Sequence, residues 1–168
     1  MSHPANNAHT GQSKLMFTLF TAVAAATAAL AAGSSLLLTL PVWAMFVGWV
    51  AFFSRGLTLR DGLVNLGCVL MGIAFGMAAA LSISALTPTL GLFALPVVVF
   101  VVAMVVVSLR ATRTMNNLVA YFLGLIAYFA SHLEPSLESF VELGAAGTLG
   151  SFAGWLSHVA QQRLPRCA

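Results

Sequence analysis

The decapeptide GWVAFFSRGL, Gly48 to Leu57, returns 76 residues later as GLIAYFASHL, Gly124 to Leu133. Gly, Ala, Phe and Leu recur at identical spacing, and Val50 and Phe52 are answered by Ile126 and Tyr128. Continued past the next connection with one residue inserted, the match sets Asn65-Leu66-Gly67 against Glu142-Leu143-Gly144. The simplest reading is a duplicated unit of three helices. Three crossings of a membrane reverse the direction of the chain, so the second copy is expected upside down relative to the first. Such a pair has a pseudo-twofold axis in the membrane plane, and a site between the copies is offered equivalently to both sides.

The membrane reading comes from composition. Of the 168 residues 60% are hydrophobic and 7% are charged, with mean hydropathy +0.99, more apolar surface than a soluble core uses. At about 20 residues per crossing, one all-α polytopic domain of six transmembrane helices is expected. The spans fall at 15–33, 36–53, 62–82, 90–109, 115–131 and 137–158, giving repeats 15–82 and 90–158. A disordered cytoplasmic tail, 1–14, precedes them, and a second cytoplasmic tail, 159–168, follows. Lys14 and the apolar stretch ending in ALAAG also read as a secretory signal. The repeat needs helix 1 as partner of helix 4, so it is expected to remain as a span.

Charge placement tests the count independently of hydropathy. All seven cations fall before helix 1 (Lys14), between helices 2 and 3 (Arg55, Arg60), between helices 4 and 5 (Arg110, Arg113) or after helix 6 (Arg163, Arg166). The opposite connections carry none. Those at 33–35 and 84–89 are uncharged, and the last holds Glu134, Glu138 and Glu142. Positive loops stay in the cytoplasm, so both termini are expected inside, N-in/C-in. The net charge of +3 and the pI near 9.4 restate this topology. No basic stripe with interleaved aromatics offers a nucleic-acid surface. Cys68 and Cys167 are not expected to pair, and no metal-ligand spacing or cofactor motif occurs.

Polar groups inside spans are scarce, and each is a candidate. Asn65 belongs to the first turns of helix 3 on the cytoplasmic side, and Glu142 to the first turns of helix 6 outside, in places the repeat makes equivalent. Asn116 and Asn117 begin helix 5. Glu138 and Glu142, four apart, share a helix face, with His132 close by in sequence. This row reads either as an external mouth that attracts cations or senses acidity, or as a solvated helix end favoured by the helix dipole. Glu142 lies deeper, between Val141 and Leu143, where an unpaired charge is costly. Asn65, Asn116, Asn117, His132, Glu138 and Glu142 are therefore the candidate pathway-lining residues. The small-residue rows Gly72, Gly76, Ala80 and Ala146, Gly150, Gly154 read as close-packing faces or as room for a path. Pro41 falls in the first turns of helix 2, whereas Pro96 is deep enough in helix 4 to bend it. No nucleophile, base and orienting acid form a motif, and no phosphate loop occurs, so an enzyme is not expected.

The run P-x-W-x-x-F-x-G-W-x-x-F-F, Pro41 to Phe53, in a six-helix chain of this size resembles the YcdZ-like bacterial inner-membrane proteins of domain-of-unknown-function family 1097. The likeness covers about Leu15 to Ser157. It implies a bacterial inner-membrane location and a small polytopic protein without established activity, and it transfers no site residues.

The residues together lead to the expectation of a channel or transporter for a small polar or cationic solute, working in contact with the lipid bilayer. The contrasting expectation is a non-transporting scaffold or stress-associated membrane subunit. A chain of 168 residues has little material to enclose a path alone, which favours a homo-oligomer. Helix 2 is expected to pair with helix 5 across the pseudo-twofold.

Overall fold

The computed structural model describes residues 5–164. Met1–Pro4 and 165–168, and with them His3, Arg166 and Cys167, lie outside the described residues. The described chain is all-helical and contains no strand. Its helices are α1 (Ala5–Leu37), α2 (Val42–Ser54), α3 (Leu59–Leu90), α4 (Ala94–Ser108), α5 (Leu118–Ser131) and α6 (Leu137–Gln162).

Local chemistry sets their ends. Thr58 caps α3, its hydroxyl oxygen accepting from the Asp61 N–H at 3.1 Å and donating to the Asp61 carboxylate at 2.6 Å. Asn117 caps α5 by accepting from the Ala120 N–H, and Ser136 caps α6 by accepting from the Ser139 N–H. His132 closes α5 in the left-handed region at φ 55°, and Gly91, also at φ 55°, breaks α3. A single 3-10 turn, Gly91–Phe93, then folds α4 back along α3.

Several expected boundaries move. Residues 33–35, expected as an outer loop, are the end of α1, and the chain turns at 38–41 instead. The Ser35 hydroxyl donates to the Leu40 carbonyl across that turn at 3.0 Å, and Pro41, without an N–H to lose, stands just before α2. Residues 84–89, expected as the second outer loop, continue α3. Thr87 and Thr89 bond back to the carbonyls of Ile83 and Leu86, and the break waits for Gly91. Pro96 is the third residue of α4, where a missing N–H costs nothing, so it sits in the first turn rather than at a mid-helix bend. From Ala5 on, the segment expected as a disordered tail is helical, and α6 runs to Gln162, past the expected start of the C-terminal tail.

Among the described residues, two stretches are long and apolar enough to cross a membrane: Lys14–Leu37, and Leu59–Ala111, which takes α3, its turn and α4 together. α2 and α5 are apolar but hold 13 and 14 residues, about 20 Å of helix.

The core lies among α2, α3, α5 and α6. Met45, Phe52, Val69, Ile73, Tyr121, Tyr128 and Leu143 are all buried there. α1 covers α6: the Gln161 amide near the end of α6 reaches the Phe20 carbonyl midway along α1, while the turn after α1 lies beside the start of α6, so those two run antiparallel. α4 buries only Ala94, Val98 and Val106, one i, i+4 row, and leaves Val97, Phe100, Val101 and Met104 exposed. α2 does touch α5, but each packs chiefly elsewhere: α2 on α6, and α5 on α3. The expected α2–α5 pairing is thus secondary to a crosswise arrangement in which each short helix lies on a long helix of the other half of the chain.

Candidate functional site

The crosswise packing depends on glycine. A Cβ placed on Gly48 would overlap the Gly147 carbonyl oxygen, and one on Gly150 would overlap that of Met45, so α2 and α6 meet backbone to backbone. The α3–α5 pair does the same. A Cβ on Gly124 would overlap the Val69 carbonyl oxygen, and one on Gly72 that of Tyr121. Further along, a Cβ on Gly154 would stand 3.2 Å from the Phe52 Cβ, and one on Gly76 would stand 2.9 Å from the Tyr128 Cβ. Each of these three contacts in one pair maps onto the other by a shift of 76 residues on the short helix and 78 on the long one. Of the two readings of the small-residue rows, close packing is the one realised at Gly72, Gly76, Gly150 and Gly154.

The shift of 78 corrects one expectation. It sets Asn65 against Leu143, and Glu142 against Val64, so Asn65 and Glu142 are not equivalent. A register drawn from Gly67 and Gly144 was one residue short.

Asn65 and Asn117 nevertheless form a site. Both are buried, at 1% and 4% exposure, where the α2–α3 and α4–α5 connections meet. The Asn65 amide nitrogen donates to the carbonyl of Arg55 at 2.7 Å and, at 3.5 Å, to that of Phe52, both left free by the end of α2. The Asn117 amide nitrogen donates to the Asn65 side-chain oxygen at 2.8 Å and to the Ser54 hydroxyl at 2.7 Å. At the edge of this network the Arg55 guanidinium donates to the half-buried Asn116. The Met115 methyl lies 3.2 Å from where a Gly67 Cβ would stand, and the Met115 carbonyl accepts from the Tyr121 hydroxyl. Cys68, one turn beyond Asn65 and fully buried, lies under the network within reach of Asn117 and Tyr121. Among the described residues no buried side-chain nitrogen or oxygen lacks a partner. Chemically, this is a closed polar clasp across three helix ends rather than an open binding cup.

The opposite end is open. A cleft of about 620 Å³ lies between the α1–α2 turn and the start of α6, lined by Thr39 and Leu40 on one side and by Glu138, Val141, Glu142 and Ala145 on the other. Glu138 is exposed and Glu142 half-buried on its wall. His132, exposed at the end of α5, does not line this cleft. The structure therefore divides the candidates into a clasp (Asn65, Asn116, Asn117) and a carboxylate-walled cleft (Glu138, Glu142).

A family model described as "Protein of unknown function (DUF1097)" matches residues 18–161. The chain belongs to the DUF1097 family. The match bears out the resemblance at family level, and nothing in it singles out the narrower YcdZ-like likeness. No curated protein and no solved structure matches this DUF1097 chain.

Three members of the clasp had not been singled out from sequence: Ser54, Arg55 and Met115. Ser54 and Arg55 are the seventh and eighth residues of the very decapeptide that repeats, and the repeat answers them with Ala130 and Ser131. That polar departure, in a stretch that otherwise departs only at Trp49 and Gly56, was the available signal. Ser151, buried and donating to the Gly48 carbonyl at 3.0 Å, was marked only by its place beside Gly150.

Proposed function

We propose that this DUF1097 protein crosses the bacterial inner membrane six times with both termini inside, as two inverted three-helix repeats, and passes a small polar or cationic solute along the boundary between them. The observation that carries the reading is the pair α2 and α5. They are short apolar helices in corresponding positions of the two halves, each seated by glycines on a long helix of the opposite half. Short segments at matched places in inverted repeats point to the solute site of a transporter. The matching 76- and 78-residue shifts support the inversion.

Two further features support a membrane setting. The hydroxyls of Thr18, Thr21, Ser34, Ser82 and Ser108, on exposed helix faces, all bond back to a carbonyl four residues earlier, as they must where no water is offered. The exposed faces themselves are apolar, with Phe17, Leu30, Leu36, Phe100 and Met104 outward. The contacts of Arg55 with Asn116, and of Thr39 and Leu40 with the Glu138 cleft, fit cationic connections at one end and acidic ones at the other.

Flux from proteoliposomes tests the proposal: purified protein should release small polar or cationic solutes faster than protein-free liposomes, and Glu142→Gln should change the rate or its ion preference. Flux equal to that of empty liposomes for a broad solute panel would favour the second reading, a non-transporting scaffold or membrane subunit. The observation on that side is the dry packing of Met45, Val69, Ile73, Tyr121 and Leu143 between the two ends.

A further inference from the structure

The two ends of the repeat boundary are not in the same state, and the difference is local. Shifted by 76 and 78 residues, the cleft positions Thr39, Leu40, Glu142 and Ala145 fall on Met115, Asn116, Val64 and Gly67. At the glutamate end these positions border an open cleft. At the arginine end Met115 lies over Gly67, and Asn116 is held by Arg55. Beneath them the Asn117 amide ties α5 to Ser54 and Asn65. The clasp has no counterpart at the other end, where Pro41, Ala130 and Leu143 stand in place of Asn117, Ser54 and Asn65.

We infer that the structure is one state of a two-state protein, open at the Glu138–Glu142 cleft and closed at the arginine end, and that the Ser54–Asn117–Asn65 clasp with its Met115 cover is the latch that holds it closed. In an inverted pair, the conformation one half adopts at one end is available to the other half at the opposite end, so the two can exchange. The latch sets which state is populated, since hydrogen bonds made in only one state shift the balance toward it. Each such bond is worth about a fivefold change in that equilibrium. The inference rests on the inverted six-span reading, but its test needs no flux.

Cys68 reports the latch directly, because it is fully buried immediately under it. In a Cys167→Ser background, inverted membrane vesicles expose the arginine end to a charged methanethiosulfonate reagent, with labelling followed by mass spectrometry. Cys68 is expected to react slowly in the parent. Asn117→Ala, which removes the bonds to Ser54 and Asn65, is expected to raise its rate roughly fivefold to twentyfold. Met115→Ala, which lifts the cover without orphaning a polar group, is expected to raise it severalfold and decides the matter if Asn117→Ala does not yield folded protein. Ser35→Cys, fully buried at the other end, is the control and should stay unreactive in the same variants made with Cys68→Ser. Unchanged Cys68 labelling in folded Met115→Ala, or a Ser35→Cys rate that rises along with that of Cys68, would overturn the latch. Latch opening without solute flux would leave the latch standing and count against transport; flux with an inert Cys68 in every variant would do the reverse.

Discussion

Replacing Gly48 by alanine should separate α2 from α6. The new Cβ would overlap the main-chain oxygen of Gly147, which has no rotamer to change, so the helices must part by on the order of 1 Å. A gap of that size forfeits a quarter to a half of the dispersion energy of the groups on each side, here Met45 and Phe52 against Gly150 and Gly154. Overpacking of this kind costs about 1–3 kcal/mol, and the better helix propensity of alanine returns up to about 1 kcal/mol. The net expectation is a loss of about 1–2 kcal/mol, or roughly 2–8 °C in Tm for a chain of this length. Gly124→Ala meets the Val69 carbonyl in the corresponding way and should lose a similar amount. Gly33, inside α1 with nothing within 4 Å of its added Cβ, gives the opposite sign: Gly33→Ala should melt at or a few degrees above the parent. Melting in detergent, followed by the unmasking of Cys68 to a thiol-reactive dye in Cys167→Ser protein, measures all three. A Gly48→Ala protein as stable as the parent, or opposite signs for Gly48→Ala and Gly124→Ala, would refute the matched backbone contacts.

Asn65→Ala should leave the Asn117 amide and the Arg55 carbonyl short of partners and cost about 1–2 kcal/mol, seen as a lower melting temperature by circular dichroism in detergent. Glu142, half-buried on the wall of a wide cleft, should tolerate both Gln and Leu within about 0.5 kcal/mol. Flux should separate the two Glu142 variants where stability does not: Glu142→Gln alters ion preference, and Glu142→Leu, which lines the cleft with apolar surface, lowers the rate for polar solutes more severely.

α5 and α6 were nearly legible from hydropathy, at Leu118–Ser131 and Leu137–Gln162 against expected spans of 115–131 and 137–158, because Asn117 and Ser136 punctuate their starts. The decapeptide match also located the tightest contacts, since a glycine held at matched places is what two backbone-to-backbone crossings require. The first half was harder. Hydropathy runs on through Leu36–Leu40 although the chain turns there, and the hydroxyl-rich end of α3 imitates a loop although those hydroxyls satisfy themselves on their own helix. The clasp was half legible: Asn65 and Asn117 stood out as polar groups in apolar surroundings, but they are 52 residues apart, and only the packing of α5 on α3 brings them to 2.8 Å. The pairing of Asn65 with Glu142 failed by a single residue, and on a helix one residue turns a side chain by about 100°.

Everything proposed for this protein stands on its two halves crossing the membrane in opposite directions, and reagent accessibility at matched positions tests that most directly. Leu59 and Leu137 begin α3 and α6, 78 residues apart, and Leu37 and Arg113 form a second pair 76 apart. Both leucines of the first pair are exposed, and so is Leu37. Single cysteines at these four places, in a chain without Cys68 and Cys167, are labelled in intact cells with a membrane-impermeant maleimide, before and after permeabilisation. The inverted arrangement predicts that Leu37→Cys and Leu137→Cys react from outside, whereas Leu59→Cys and Arg113→Cys react only after permeabilisation. Labelling of both members of either pair from the same side would contradict it.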